Sequence, residues 1–395
     1  MLWSTVQADQ FCTLITDGTH DSPKPQQSGW KLITSKHLKG HYIDFDSANW
    51  IGEADYLKVI SRSAVEQWDI LFSMIGTIGN IYLEKNPHVE YACKNMGIFK
   101  FSGNKENALW MYYYLKSPQA KAYIQTHLRG STQSYVPLGS LRDMPVPVPP
   151  QSVRNEIIAI LSPIDEKIEC NNAINDNLEQ QAQSCFQELF VDNADPEWAT
   201  GTISDLGTVV GGSTPSKAKP EYYTESGIAW ITPKDLSINK SKFISHGEND
   251  ITELGLKNSS AAIMPEGTVL FSSRAPIGYI AIAAGEVTTN QGFKSVVPKP
   301  EIGTPFVYFF LKNTLPVIEG MASGSTFKEV SGSTMKNVPA VIPDAETLAK
   351  FSDFCAPIFA QQRILEEQNQ SLAALRDNLL PRLMSGEIDV SAVQL

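Results

Sequence analysis

The sequence predicts an α+β protein. Two pseudo-repeated mixed α/β blocks are each followed by a long helix, and the two helices pack antiparallel as a coiled coil. Three observations carry that prediction. First, Ile157, Leu161, Ile164, Ile168, Asn171, Asn175, Leu178, Ala182, Cys185 and Leu189 are spaced alternately by four and three residues. Such an unbroken alternation is the seam of a helix that supercoils against a partner. Second, adding 194 to each number gives Phe351, Cys355, Ile358, Gln362, Leu365, Asn369, Leu372, Arg376, Leu379 and Leu383, again mostly apolar. Asn175 is matched by Asn369, and Pro163 by Pro357. Third, the stretches preceding the two helices repeat each other's motifs in order. One long helix is therefore present twice, and each copy can be the other's partner. The two asparagines of the first seam lower stability but fix register. Both helices are expected to kink or break at their prolines.

The chain then divides into residues 1–150 (first block), 151–195 (helix), 196–345 (second block) and 346–395 (last helix). In the first block, Asp17-Gly18-Thr19-His20-Asp21-Ser22-Pro23 is turn chemistry and Gly29 to Thr34 a strand. Residues 69–82 read as two strands around a glycine turn. Residues 106–128 suit a helix that Pro118 interrupts, and the polar tract Arg129 to Tyr135 follows it. Met144-Pro145-Val146-Pro147-Val148-Pro149-Pro150 reads as an extended, stiff linker into the first long helix.

The second block replays this order. Gly211-Gly212-Ser213-Thr214-Pro215 answers Asp17-Gly18-Thr19-His20. Thr232, Lys234 and Leu236 answer Thr34, Lys36 and Leu38. Phe271-Ser272-Ser273-Arg274-Ala275-Pro276-Ile277-Gly278 answers residues 72–79, and a helix from Thr304 to Met321 answers the one near Trp110. Ser323-Gly324-Ser325-Thr326 answers Arg129-Gly130-Ser131-Thr132, and Val338 to Pro343 answers the proline linker. The last long helix runs to about Met384. Two copies that keep a scaffold while their loops diverge are expected to read two different things.

Charge is unevenly placed. Of the formal −11, residues 151–200 hold −8 (2 basic, 10 acidic) and 346–395 hold −3 (4 and 7). Residues 1–150 carry +1 (14 and 13) and 201–345 carry −1 (12 and 13). All the acidity lies on the helices, so an acidic pI does not exclude a local basic face on either block. Five scattered cysteines without a C-x-x-C pair, no signal-peptide start and no membrane-length apolar run point to a reduced, cytoplasmic protein without structural zinc.

Catalytic signatures are missing. Residues 211–217 lack the second glycine of a P-loop, and there is no G-x-S-x-G or H-E-x-x-H. The six histidines show no ligand spacing, and no adenosylmethionine-type glycine loop occurs. Asp165-Glu166-Lys167 is the only acid-x-Lys triplet of interest for a nuclease, and it falls on a coiled-coil helix where charge is ordinary.

The repeated blocks resemble the target-recognition domains of type I restriction-modification specificity (S) subunits. The residues that carry this are 14–23, Gly211-Gly212-Ser213-Thr214-Pro215-Ser216, Trp230-Ile231-Thr232-Pro233-Lys234-Asp235-Leu236, and the ending Leu379-Leu380-Pro381-Arg382-Leu383-Met384-Ser385-Gly386-Glu387-Ile388. In place of Pro233-Lys234-Asp235-Leu236 the first block has Ser35-Lys36-His37-Leu38, which leaves open any role of the Asp235 position in that block. The resemblance implies a non-catalytic subunit that reads a bipartite target in double-stranded DNA. It implies two methyltransferase subunits docked on it for adenine methylation, and two motor-nuclease subunits where restriction occurs. It implies no cofactor of the chain's own, with adenosylmethionine, ATP and magnesium bound by those partners. The helix spacing agrees: 38 residues span about 57 Å, against about 34 Å between same-face major grooves.

The residues themselves nominate contacts. Thr19, His20, Gly212, Ser213 and Thr214 offer small polar groups and backbone N–H for phosphates, with Lys217 and Lys219 beside them. Arg274 suits guanine, and Asn290 and Gln291 suit adenine. Arg129, Ser131, Gln133 and Tyr135, and in the second copy Ser325, Thr326 and Lys328, suit backbone approach. Lys36, Ser73, Thr77, Lys234 and Ser273 occupy the matching loops. Trp30 and Trp230 suit the core. Two rival readings are a coiled-coil adaptor whose neutral blocks bind proteins, and a free-standing nuclease or methyltransferase. A salt-dependent gel shift separates the first, and an activity assay on the purified chain the second.

Overall fold

A computed structural model describes residues 3–40, 42–324 and 328–390. By contact the chain forms two compact units, residues 1–169 with 371–395, and residues 170–370. Each unit holds one block and a share of both long helices, so the helices are not units of their own. The architecture is the expected mixed α/β repeat.

Among the described residues unit 1 carries β1 (Ser4–Gln7), β2 (Leu14–Asp17), β3 (Trp30–Ile33), β4 (Asn49–Ile51), β5 (Ile70–Ser73), β6 (Ile81–Leu83), β7 (Tyr91–Cys93), β8 (Met96–Lys100) and β9 (Pro145–Val148). They form sheets of order β2-β8-β5-β6, β4-β3-β7 and β1-β9. Unit 2 carries β10 (Ala199–Thr202), β11 (Gly207–Gly211), β12 (Tyr223–Thr224), β13 (Ile228–Ile231), β14 (Phe243–Ile244), β15 (Asn249–Ile251), β16 (Val269–Ser273), β17 (Ile277–Ala283), β18 (Thr288–Thr289), β19 (Lys294–Pro298) and β20 (Pro339–Ile342). Its sheets are β11-β19-β16-β17-β14, β12-β15-β13-β18 and β10-β20. The order is that of unit 1 with one strand added to each larger sheet. Both middle sheets contain a parallel pair, β3 with β7 and β13 with β18.

The proline stretches are not free linkers. Ser4 to Gln7 pair with Val148 to Pro145, and Ala199 to Thr202 with Ile342 to Pro339. Alternation explains this, because Val146 and Ala340 point into the cores while the prolines lie on an edge that needs no further N–H donor.

The long helices span Gln151–Gln187, followed by a wider turn over Glu188–Asp192, and Ala345–Met384. Of the expected kink or break at the prolines, the break does not occur. Both helices continue through Pro163 and Pro357, because the turns around the prolines are anchored by buried Ile157, Leu161, Phe351, Cys355 and Ile358. Loss of one backbone hydrogen bond is outweighed by that packing. No seam residue in either helix is exposed. Within unit 1, Asp165 meets Arg376 at 2.8 Å. Within unit 2, Asn171 Nδ2 donates to Asn369 at 2.9 Å and Gln362 Nε2 to the Asn175 carbonyl at 3.2 Å. One number rises as the other falls, so the helices run antiparallel.

Each block is fastened to its helices by an apolar core. In unit 1, Phe72, Phe99 and Trp110 pack toward Ile157, Leu161 and Leu383. In unit 2, Phe271, Phe306 and Phe309 pack toward Phe186 and Phe351. Unit 2 adds a buried polar hub. Glu179 receives Lys242 at 2.8 Å, Lys312 at 2.5 Å and the Tyr308 hydroxyl at 3.1 Å. Burial would raise the Glu179 pKa, but the two ammonium groups outweigh it and hold it at about 2. Burial draws Lys242 down to about 8, so both are charged at neutral pH.

Candidate nucleic-acid interface

The same backbone frame gathers the loops of each block. In block 1, Thr19 N–H donates to the Cys93 carbonyl at 2.9 Å and Lys94 N–H to that of Ile33 at 2.9 Å. Ile75 bridges to Tyr135, Val136 N–H donates to the Met74 carbonyl at 2.9 Å, and Arg129 and Tyr135 exchange backbone bonds of 2.9 and 2.8 Å. In block 2, Ser213 N–H donates to Thr289 at 2.9 Å and Asn290 N–H to Ile231 at 3.0 Å. Arg274 bridges to Glu329, Val330 N–H donates to Ser273 at 3.0 Å, and Ser323 and Glu329 exchange bonds of 3.1 and 2.8 Å. Gly18 and Gly212 permit the chain to cross closely over Cys93 in block 1 and over Thr289 and Asn290 in block 2. A Cβ there would lie 2.4 Å from the Cys93 oxygen or 2.0 Å from that of Asn290, closer than any side chain allows.

The loop opening with Thr34 or Thr232 is held the same way by different chemistry. Asp235, buried, accepts the Thr232 N–H at 2.7 Å and the Glu248 N–H at 2.8 Å. His37 takes that position in block 1, and its Nδ1 accepts the Thr34 N–H at 2.9 Å. Burial lowers the His37 pKa, which keeps Nδ1 available as an acceptor. The Asp235 position is therefore a helix-capping device in both blocks.

Several nominated residues lie on these loops with their side chains outward. Arg129, Ser131, Gln133 and Tyr135 are all exposed. Lys36 and Thr77 are exposed, with the Thr77 hydroxyl donating to the Ser35 carbonyl at 3.3 Å. His20 is exposed between Asp17 and Asn95, 2.8 Å from each. Thr19 is buried, its hydroxyl accepting the Asp21 N–H at 3.1 Å. In block 2, Gly212, Ser213 and Thr214 are half-buried, and Thr214 donates to exposed Gln291. Lys217, Lys219 and Lys328 are exposed, Lys219 over the Tyr222 ring. Lys234 is exposed but paired to Glu248 at 2.6 Å. Arg274 is 39% exposed, with a loose contact to Glu329 at 3.5 Å. Ser325 and Thr326 lie outside the described residues.

Three nominated side chains are turned to structural work. Ser73 and Ser273 are fully buried, donating to the carbonyls of Ile75 at 3.2 Å and Gly292 at 3.1 Å. This corrects the expectation of a DNA contact through their hydroxyls. Asn290 Oδ1 accepts the Gly292 N–H at 2.8 Å and caps its turn. Trp230 is buried, while Trp30 is half-buried and stacked on Tyr56. Sequence reasoning missed Lys94 and Asn95, which stand in the frame where Asn290 and Gln291 stand. The repeat offset was the signal that could have found them.

Among the described residues, no group of His, Cys, Asp and Glu is placed to hold a metal ion, and no helix is long and apolar enough to cross a membrane. Residues 3–180 and 196–374 match the type I restriction modification DNA specificity domain. The MjaIX type I restriction enzyme specificity subunit of Methanocaldococcus jannaschii is 40% identical over 191 residues, 46% of this chain and 44% of that protein. The match thus spans less than half of that relative. The HindI specificity subunit of Haemophilus influenzae is 23% identical over 407 residues, 83% of this chain and 88% of its own. The crystal structure of a type I S subunit from M. genitalium shares the fold, with a TM-score of 0.57, 17% identity and 96% of both chains covered. With the domain present twice across most of its length, the chain belongs to the type I restriction-modification DNA specificity family.

Proposed function

We propose that the chain is the DNA-reading subunit of a type I restriction-modification complex, with each block reading one half of a bipartite target. One observation carries this reading: the loop frame is the same in both blocks, while the side chains on it differ. Arg274 stands opposite Ile75, Glu329 opposite Tyr135, and Asn290-Gln291 opposite Lys94-Asn95. A shared frame fixes the approach to the duplex, and different side chains at matched places specify different bases.

The chain itself is not catalytic in this reading. Adenine methylation is carried out by two methyltransferase subunits that bind adenosylmethionine, and restriction by two motor-nuclease subunits that use ATP and magnesium. The acidic helices suit those partners better than DNA, since Glu166, Asp176, Glu188, Asp353 and Glu367 are exposed on them. The protein works in the cytoplasm, with the genome.

The test is a block exchange. Residues 1–145 are replaced by the equivalent block of a relative, and bound duplexes are selected from a random library in the presence of the methyltransferase. One half of the selected sequence should change while the other half and methyltransferase binding persist. A change in both halves together would overturn the two-reader reading.

A further inference from the structure

Unit 1 contains a cavity of about 590 Å³ between its block and its share of the helix pair, lined in part by Ile81, Tyr112, Lys116, Asp165, Ile168 and Arg376. The matching place in unit 2 is filled from within. Aligning residues 111–116 with 307–312 sets Tyr308 and Lys312 at the positions of Tyr112 and Lys116, and the helix offset sets Phe359 and Gln362 at those of Asp165 and Ile168. There Lys242 lies 4.5 Å from the Tyr308 ring and 3.4 Å from the Phe359 ring, and donates to Gln362 at 2.9 Å. It is delivered by β14, which runs alongside β17. Ile282 N–H donates to the Lys242 carbonyl at 2.7 Å and Ala284 N–H to that of Ile244 at 2.9 Å.

Among the described residues, unit 1 has no such strand. Its counterpart of β17 is β6, the outer strand of its sheet. The loop that would supply a neighbour is shorter: residues 39–48 separate Leu38 from Asn49, against 237–248 between Leu236 and Asn249. The charges differ as well. Lys312 meets Glu179 at 2.5 Å, but the helix offset puts Ala373 where Glu179 stands. Among the described residues the one carboxylate paired with Lys116 is Asp165, at 3.4 Å, and Asp165 is shared with Arg376 at 2.8 Å. Glu169 is already taken by Lys85 at 2.6 Å. Lys121, exposed and also lining the cavity, adds a further cation. The place that Lys242 takes in unit 2 is a cavity in unit 1, and its lining sets three cations, Lys116, Lys121 and Arg376, against two carboxylates, Asp165 and Glu169.

We propose that this cavity is a docking site for an extended segment of a partner polypeptide, which adds to the edge of β6 and sets a carboxylate against Lys116. Strand addition supplies affinity through main-chain hydrogen bonds, and the cavity supplies selectivity through the acidic side chain. The proposal does not rest on the DNA-reading role. It is tested by panning a phage library of random heptapeptides on the full chain, then measuring the selected peptides by fluorescence anisotropy. Acidic, β-forming sequences should be enriched. Their affinity should fall about tenfold or more in Lys116→Met, in Lys121→Glu, and when the peptide's Glu or Asp is changed to Gln or Asn. Lys121 is exposed, so its variant keeps the test open if Lys116→Met does not fold. No enrichment, enrichment of basic or neutral peptides, or unchanged affinity in both variants would overturn the proposal. So would displacement of the peptide by an equal concentration of acetate, which would indicate a simple anion pocket.

Discussion

Block 1 and block 2 keep one backbone frame and differ in what fills and decorates it. The frame survives where main chain meets main chain: the Gly18 and Gly212 crossings, the bridges at Tyr135 and Glu329, and the caps at Thr34 and Thr232. Even the cap tolerates a change from Asp235 to His37, because only an acceptor at one point is required. A proline separates the blocks further. In block 1 the helix stops at Lys116 and restarts at Pro118, with the Ser117 hydroxyl capping the new start. In block 2 the helix Thr304–Met321 runs through Pro316, where no hydroxyl residue precedes the proline. Neither the proline nor a preceding hydroxyl decides by itself, because Ser162 precedes Pro163 and that helix runs on, held by its buried neighbours.

The largest expected difference between the units lies in their buried charges. Glu179→Gln leaves Lys242 and Lys312 without a carboxylate and should cost unit 2 about 3–5 kcal/mol. Asp165→Asn should cost unit 1 less, because it strands one lysine, Lys116, rather than two, while Arg376 keeps Asp377 at 2.8 Å. Hydrogen exchange during urea unfolding resolves the two units, and equal losses would show that the hub is not special. Its pH dependence has a definite sign. The Glu179 pKa lies at about 2 in the fold against an ordinary 4.5, so its contribution is complete above about 4.5 and is lost as pH falls toward 2.

The seam should behave alike in both helices. Leu178→Asp and Leu372→Asp each put a charge at a half-buried seam position and should each cost about 2–3 kcal/mol. Thermal or urea unfolding of the two variants checks this, and a large inequality would break the pseudo-symmetry of the pair.

On DNA the blocks should differ at the matched pair Arg274 and Ile75. Arg274→Ala should cost about 1–3 kcal/mol of binding and relax a single position of one half-site, whereas Ile75→Ala should change less. Competition binding across single-base variants measures both. Equal weakening on every sequence, with a shallower salt dependence, would make Arg274 a phosphate contact. The smallest effect is expected for Lys217→Ala. It should weaken all sequences alike and reduce the slope of log affinity against log salt by about 1. An unchanged slope would place Lys217 away from the backbone.

What the sequence determined by itself was local or repeated. The seam residues face inward in both helices because spacing along a helix sets the face, whatever the rest of the chain does. The order of block, helix, block and helix followed from motifs that recur at nearly constant offset, and the exposed loop residues followed from turn chemistry. Tertiary structure decided the rest. Pro145 to Val148 became a strand only because Ser4 to Gln7, some 140 residues away, reaches it. Pro163 and Pro357 stay helical because buried neighbours hold their turns. Ser73 and Ser273 face inward because nearby carbonyls take their hydroxyls. Lys242 and Glu179, 63 residues apart, become partners only when β14 meets the helix. These outcomes depend on which distant groups arrive together, and pairing energies between such groups leave no periodic trace along the chain.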